Sequence, residues 1–392
     1  MHESPFLPYA RQLVEQDDID AVVDVLRSEY LTSGPAIAAF EQALAAAVGA
    51  EWAVAVGSGT AALHAACFAA GVGEGDEVIV PAITFVATAN CARYLGAEPV
   101  FADVDPDTGL VVPQLVAERV TGATRAIMAV HLGGASTDVL ALSAVARQSG
   151  AMVIEDAAHG LGGSCGGRRL GACADGSRMA TFSFHPVKHI TTGEGGAITG
   201  KDGELLRKLR LFRDHGIERA PDRFREPAAG PWYYEQQFLG HNLRMTDIQA
   251  ALGLSQLGKL GRFVERRRLL AGKYDRLLRE RPGITPVVGD ATRAGCAYHL
   301  YPVLIDFNRF GVSRAEVMRE MRARGIGTQV HYIPLPMHPY YRDRGWDPAL
   351  FPGALRYYER TLSLPLFPAM RDDDVDRVVD ALCAVLGDKR GA

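Results

Sequence analysis

Lys188 stands in the stretch TFSFHPVKHITTGEGG (181–196), between an apolar run at Ala180 to Phe184 and another at Ala197 to Thr199. Pro186 and the glycines at Gly193, Gly195 and Gly196 predict turns on both sides, so the runs read as strands and the lysine as part of the loop joining them. A lysine ordinarily occupies a solvated face. Enclosed among apolar neighbours, its ammonium loses solvation, its pKa falls, and the free amine becomes a nucleophile toward an aldehyde. Lys188 is therefore a candidate Schiff-base lysine.

An aldehyde cofactor such as pyridoxal 5′-phosphate sets three further requirements. Its phosphate needs backbone N–H groups and hydroxyls, which Gly59, Thr60 and Ser183 can supply. Its pyridine nitrogen needs a carboxylate that keeps it protonated as an electron sink, and Asp156 ends a strongly apolar run. Its ring needs a flat partner, for which Phe85 is the candidate. Each residue also has a plainer reading: Asp156 as a helix cap, Phe85 as core, His159 as a satisfied buried histidine. His185 and His189, four apart, would share a helix face and a metal if they lay on a helix, but Pro186 and Thr191-Thr-Gly193 argue against one. Asp103 and Asp105 follow a strand and read as loop caps rather than ligands. Gly160-Leu-Gly-Gly-Ser-Cys-Gly-Gly167 has glycines misspaced for a dinucleotide fingerprint and opens no helix.

These residues need a frame. Apolar spacing predicts helices near 17–28 and 37–48. A strand at 52–56, the small-residue loop Gly57-Ser-Gly-Thr60 and a helix at 61–70 then begin a strand–helix alternation. It continues with strands at 78–80, 99–102, 126–130 and 152–154, each a continuous apolar run, which implies a parallel sheet covered on both faces. Ligands of such sheets bind beyond the carboxyl ends of the strands. His131, Asp156 and the Gly57–Thr60 loop all lie at such ends and can converge. Beyond residue 200 we expect a basic helix at 205–212, a Pro-, Gly- and aromatic-rich stretch at 218–237, and a long helical region to about 280. Strands at 298–305 and 328–332 and helices at 313–324 and 372–386 follow, as in a smaller α+β unit.

With 392 residues, 48% apolar content and 22% charge, the chain can bury more than one core. A net charge of −4 gives no basis for a nucleic-acid partner, and no apolar run reaches the roughly 18 residues of a membrane span. The N-terminus carries no signal-peptide pattern, and the six scattered cysteines include no CxxC pair; both suit the cytoplasm and a reducing environment.

EDAAHG at 155–160, the lysine stretch at 181–196, GHNLRMTDIQA at 240–250 and the GSGTAAL loop together closely resemble the DegT/DnrJ/EryC1/StrS sugar aminotransferases. The likeness runs from LPYARQ at 7–12 to SLPLFP at 363–368. It implies an α/β fold of the type I pyridoxal-phosphate aminotransferases: a large domain (1–255, with the N-terminal arm) around a mostly parallel seven-stranded sheet, and a small C-terminal α+β domain (256–392). It also implies Lys188 as the Schiff-base lysine, Asp156 on the ring nitrogen, and His159 near both. Ser183, Gly59 and Thr60 would hold the phosphate, and Phe85 would cover the ring where relatives often have Trp. Asn242 would reach the phosphate of a neighbouring subunit, so the active unit would be a homodimer with shared sites. Tyr9, the loop Glu29-Tyr30-Leu31-Thr32, His185, His331 and Tyr332 match positions that meet the nucleotide sugar. L-Glutamate would give its amino group to the cofactor and a UDP-linked 4-keto sugar would receive it, in ping-pong fashion. ITTGEGGAI, GHNLRMTDIQAALGLSQL and QVHYIP are most similar to the pseudaminic acid branch of the family, ahead of the branch that makes 4-amino-4-deoxy-L-arabinose nucleotides. A related deoxygenase would carry histidine at Lys188, and a non-catalytic relative would lack part of the set; neither departure is present.

Overall fold

The structure is a computed structural model that describes residues 5–387. Seven strands form its main sheet: β1 (Trp52–Val56), β2 (Glu77–Pro81), β3 (Glu98–Ala102), β4 (Thr124–Val130), β5 (Met152–Asp156), β6 (Met179–Ser183) and β7 (Gly196–Gly200). Their spatial order is β1-β7-β6-β5-β4-β2-β3. Strands β6, β5, β4, β2 and β3 run parallel, each linked by a crossover, and their near-continuous apolar runs are buried on both faces.

The parallel pattern stops at β7, which is antiparallel to both β6 and β1. The chain between β6 and β7 contains no helix, and a parallel return needs a crossover that such a loop does not supply. This reversal puts the loop carrying Lys188 at the carboxyl end of β6, the same edge of the sheet as Asp156.

The first helix spans Gln16–Leu26 and is fastened through Asp18, whose buried carboxylate takes hydrogen bonds from Ser255 Oγ (2.6 Å) and Gln256 Nε2 (2.7 Å). The second, Pro35–Val48, begins with proline at its first turn, and the Asp247 carboxylate accepts the amides of Gly34 and Ala36. Asp103 and Asp105 are caps: Asp103 accepts the amides of Gly353 and Ala354 at the start of the Pro352–Arg360 helix, and Asp105 closes its own turn onto Asp107 and Thr108.

The long helical region expected after 240 is two helices, Asp247–Gly258 and Leu260–Leu278, broken at Lys259. A three-stranded antiparallel sheet follows, with β8 (Ile284–Pro286), β9 (Tyr301–Ile305) and β10 (Thr361–Leu364). The helices Arg314–Ala323 and Asp372–Val385 pack on its core. The strand expected at 298–305 starts only at Tyr301, because the backbone before it bends to bond Gly134 O from Ala297 and Gly133 O from Leu300. The strand expected at 328–332 is absent: Gln329 makes a single bridge to Ser363 and the chain then turns toward the main sheet, where Leu335 N donates to Ala82 O. Sequence reading missed β8 and β10. Both are short runs broken by proline or polar residues, too short for periodicity to register. The N-terminal arm crosses to this second unit, with Leu7 N bonded to Gly325 O and Leu7 O accepting from Gly327 N, both at 2.8 Å. No helix among the described residues is long and apolar enough to cross a membrane.

Candidate active site

The carboxyl ends of β5 and β6, the loop after β2 and the start of the Gly59–Ala69 helix surround a cavity of about 590 Å³. Its floor carries Lys188, Asp156 and His159; Tyr9, His331 and Tyr332 enclose it from the side of the second unit.

Lys188 is half-buried and lines this cavity. Enclosure by protein lowers its pKa to about 8, against the pull of the Asp156 charge, which favours the ammonium. A usable fraction of free amine near neutral pH follows. Asp156 accepts Thr88 Oγ1 at 2.7 Å and the Ala158 amide at 3.2 Å, and Thr88 in turn pairs with Thr84 Oγ1 at 2.8 Å. Two threonines thus fix the carboxylate from beneath. Thr88 was not singled out in the sequence, where a threonine inside an Ala-rich helix carries no distinguishing pattern.

The seat for a phosphate is made by close approach. Ser58 caps the Gly59–Ala69 helix by accepting the Ala61 amide, leaving the amides of Gly59 and Thr60 in the unpaired first turn. A Cβ on Gly59 would lie 2.7 Å from the Cβ of Ser183 and 3.0 Å from its Oγ, so only glycine brings this turn against the end of β6. We expect Gly59→Ala to weaken cofactor binding by at least about tenfold through displacement of that turn. Titration of the cofactor-free variant by absorbance checks this; unchanged affinity would show that the turn has room to move.

The histidines part ways. His159 accepts the Gly133 amide at Nδ1 (3.2 Å) and meets Tyr332 Oη through Nε2 (3.2 Å), and burial, then the charge of Lys188, holds its pKa well below the ordinary value. His331 lines the cavity, pairs with Ser363 Oγ at 2.8 Å, and is pushed down to about 3 by burial and then by Lys188. His185 lies exposed at the rim, while His189 turns away and donates to Ala297 O at 3.0 Å; the two share no ligand position. His131, expected to converge with the others, is fully buried and instead joins Glu155 (3.0 Å) away from the cavity. That carboxylate is desolvated, yet the His131 contact and the Ser177 hydroxyl outweigh the burial and hold its pKa below the usual range. His299, absent from the sequence-derived set, packs its ring 4.3 Å from that of His159.

Phe85 is half exposed at the mouth, 6.0 Å from the ring of Tyr332. Asn242 and Glu29, Tyr30, Leu31 and Thr32 are exposed and line no part of this chain's cavity. The Glu29–Thr32 loop is held by the bridge between Thr32 and Thr246 and the bond from Asp247 N to Leu31 O, whereas Asn242 bridges to Asp214.

In sequence, residues 12–383 match the DegT/DnrJ/EryC1/StrS aminotransferase family. The chain belongs to that family. This sugar aminotransferase is 44% identical over 380 residues to the spore coat polysaccharide biosynthesis protein SpsC of Bacillus subtilis (strain 168), an alignment covering 96% of each chain. It is 30% identical to Helicobacter pylori PseC, an aminotransferase involved in the biosynthesis of pseudoaminic acid, with a TM-score of 0.88 over 97% of this chain and 99% of PseC. Spr1654 from Streptococcus pneumoniae, solved in PLP and PMP forms, is 29% identical, with TM-scores of 0.88 and 0.89 over 97% of this chain and 99% of its own. The fold is that of the type I pyridoxal-phosphate enzymes, and the cofactor of this aminotransferase is pyridoxal 5′-phosphate. The residues present suit it: an enclosed lysine of lowered pKa, a carboxylate ending a buried strand, and a seat of amides and hydroxyl that one added Cβ would obstruct.

Proposed function

We propose that this chain moves the amino group of L-glutamate to C4 of a UDP-linked 4-keto-6-deoxy-N-acetylhexosamine. The product would be UDP-4-amino-4,6-dideoxy-N-acetyl-β-L-altrosamine, an intermediate of pseudaminic acid biosynthesis. The observation that carries this reading is the likeness to PseC along nearly the whole of both chains. A second reading is favoured by the higher identity to SpsC: a different nucleotide 4-keto sugar, aminated for a polysaccharide.

Lys188, Asp156 and His159 are the catalytic residues of this proposal. Gly59, Thr60 and Ser183 bind the phosphate, with Asn242 reaching the site of a second copy, so that the working unit is a homodimer. Phe85 covers one ring face. When bound, the cofactor supplies an aldehyde carbon that carries the amino group and a ring that accepts the electron pair left by proton loss. Lys188 Nζ moves that proton, first from the donor's Cα and, in the second half, back toward the sugar's C4. The Asp156 carboxylate, fixed by Thr88, holds the ring nitrogen's proton in place. Tyr9, His185, His331 and Tyr332, with Glu29, Tyr30, Leu31 and Thr32 from the second copy, meet the nucleotide sugar. The break at Lys259 would separate the two domains, because the boundary expected after 255 falls inside the Asp247–Gly258 helix.

Mass spectrometry of products from a panel of UDP-4-keto sugars tests the substrate. The panel includes a 4-ketopentose and a bacillosamine-type precursor. We expect kcat/KM to favour the substrate that yields the altrosamine product by roughly 10- to 200-fold, the range a few pocket contacts supply. A preference for another member would move the assignment to that sugar and leave transamination standing.

A further inference from the structure

The direction of one hydrogen-bond chain at the cavity floor is fixed by the backbone. Gly133 adopts a left-handed conformation (φ 66°), in the turn after β4 where its amide meets His159 Nδ1 at 3.2 Å. A backbone N–H can only donate, so Nδ1 must accept, and the proton of the neutral imidazole must lie on Nε2. His159 is held neutral by burial and by the neighbouring Lys188 charge. Its Nε2–H therefore donates to Tyr332 Oη, 3.2 Å away. With one lone pair of that oxygen engaged, the phenolic hydrogen has to point elsewhere. The contact to His159 is the hydrogen bond found for this hydroxyl among the described residues, and Tyr332 lines the cavity. Burial raises the Tyr332 pKa, so the hydrogen stays in place across the working pH range.

We infer that Tyr332 is a one-way hydrogen-bond donor to the oxygen of the reacting carbonyl, oriented by His159 and, through it, by the Gly133 amide. Any carbonyl carbon to be aminated must come within reach of Lys188, and its own oxygen is the acceptor it always brings to that spot. Donation polarises the carbonyl and fixes which face meets the amine, without a proton changing owner. The same donor serves the keto sugar and 2-oxoglutarate, since both present a ketone at one place. Toward the carbonyl oxygen, the catalytic His159 acts only by positioning Tyr332. The inference rests on the transaminase reading but not on which sugar is the substrate.

Two measurements test it. In the cofactor-free protein, nitrogen-15 NMR of labelled histidines should show His159 neutral and protonated at Nε2 between about pH 6 and 8; a proton on Nδ1 overturns the chain of donors. In the holoenzyme converted to its amino form, Tyr332→Phe should slow single-turnover reaction with 2-oxoglutarate, and with the accepted keto sugar, by about 100-fold each. The resting absorbance should not move, and the variant should still fold and bind the cofactor, with a somewhat lower melting temperature because the buried His159 Nε2–H loses its acceptor. A shifted resting absorbance would mean that the hydroxyl serves the cofactor's own oxygen, and unchanged rates would mean that it serves none; either result sinks the proposal. The 2-oxoglutarate arm runs whatever the sugar is. Failure of the entire sugar panel would therefore count against the assigned substrate and not against Tyr332.

Discussion

Lys188→Ala should lower turnover by at least about 10⁴-fold while making the cofactor-free protein more stable at pH 7. The two effects share one cause. Enclosure depresses the Lys188 pKa from 10.5 to about 8, so at neutral pH the folded chain carries an ammonium it poorly solvates. At about 1.4 kcal/mol per pKa unit, this costs on the order of 3 kcal/mol. The sign follows from proton counts. Between pH 8 and 10.5 the unfolded lysine is protonated and the folded one is not, so the parent protein gains stability as pH rises through that window. Below pH 8 the full penalty is present, and above 10.5 it vanishes. Melting curves of parent and variant should therefore differ most below pH 8 and converge above 10.5. Cofactor loading by the parent should quicken as pH climbs through 8, where the amine becomes free. Retained turnover in the alanine variant would show that another lysine does the work.

Asp156→Asn should reduce turnover by about 100-fold or more with the fold intact. The amide oxygen can still accept the Thr88 hydroxyl, 2.7 Å from the carboxylate in the parent, at the cost of the longer 3.2 Å contact from the Ala158 amide, which would then face an NH2 group. What disappears is the negative charge that would hold a proton on the ring nitrogen. The charge also supports the Lys188 ammonium, so its removal should carry the lysine's pKa below 8 and shift the loading profile to lower pH. Loading assays across pH and steady-state rates with L-glutamate check the two limbs separately. Near-parental turnover would argue that the ring nitrogen finds its partner elsewhere.

Much of this is legible in the amino-acid sequence alone. The parallel part of the sheet was legible because strands buried on both faces must be apolar throughout, and the crossover helices announce themselves by spacing. Lys188, Asp156, Ser183 and Gly59 were legible for a related reason: they lie at the carboxyl ends or turns of those same strands, where topology gathers ligands. Less local facts were not. His131 has the same position at a strand end as Asp156, yet it turns inward to Glu155, a partner 24 residues away that no spacing rule reveals. His299 reaches His159 only because Gly134, at φ 98°, lets the backbone of 298–299 come close; a Cβ there would lie 2.7 Å from Tyr298 N. The missing strand at 328–332 shows the same limit, since Gln329 pairs with Ser363 and the chain bends at His331 before a second pair can form. Exposure of Asn242 fits a role outside this chain's own cavity, which the resemblance suggested and spacing alone did not, whereas the resemblance gave no sign that the Glu29–Thr32 loop would stand clear of that cavity.

The arm bearing Tyr9 is paired along Leu7 with Ile326, a few residues before the segment that brings His331 and Tyr332 to the cavity. One side of the cavity's rim is thus made by two stretches more than 300 residues apart in sequence, while Lys188, Asp156 and His159 on its floor come from one stretch between them. Substitutions confined to Tyr9, His331 and Tyr332 would therefore change what meets a substrate without touching Lys188 or Asp156. The backbone bonds at Leu7 ask nothing of side chains, so either stretch can change its residues while the two stay joined.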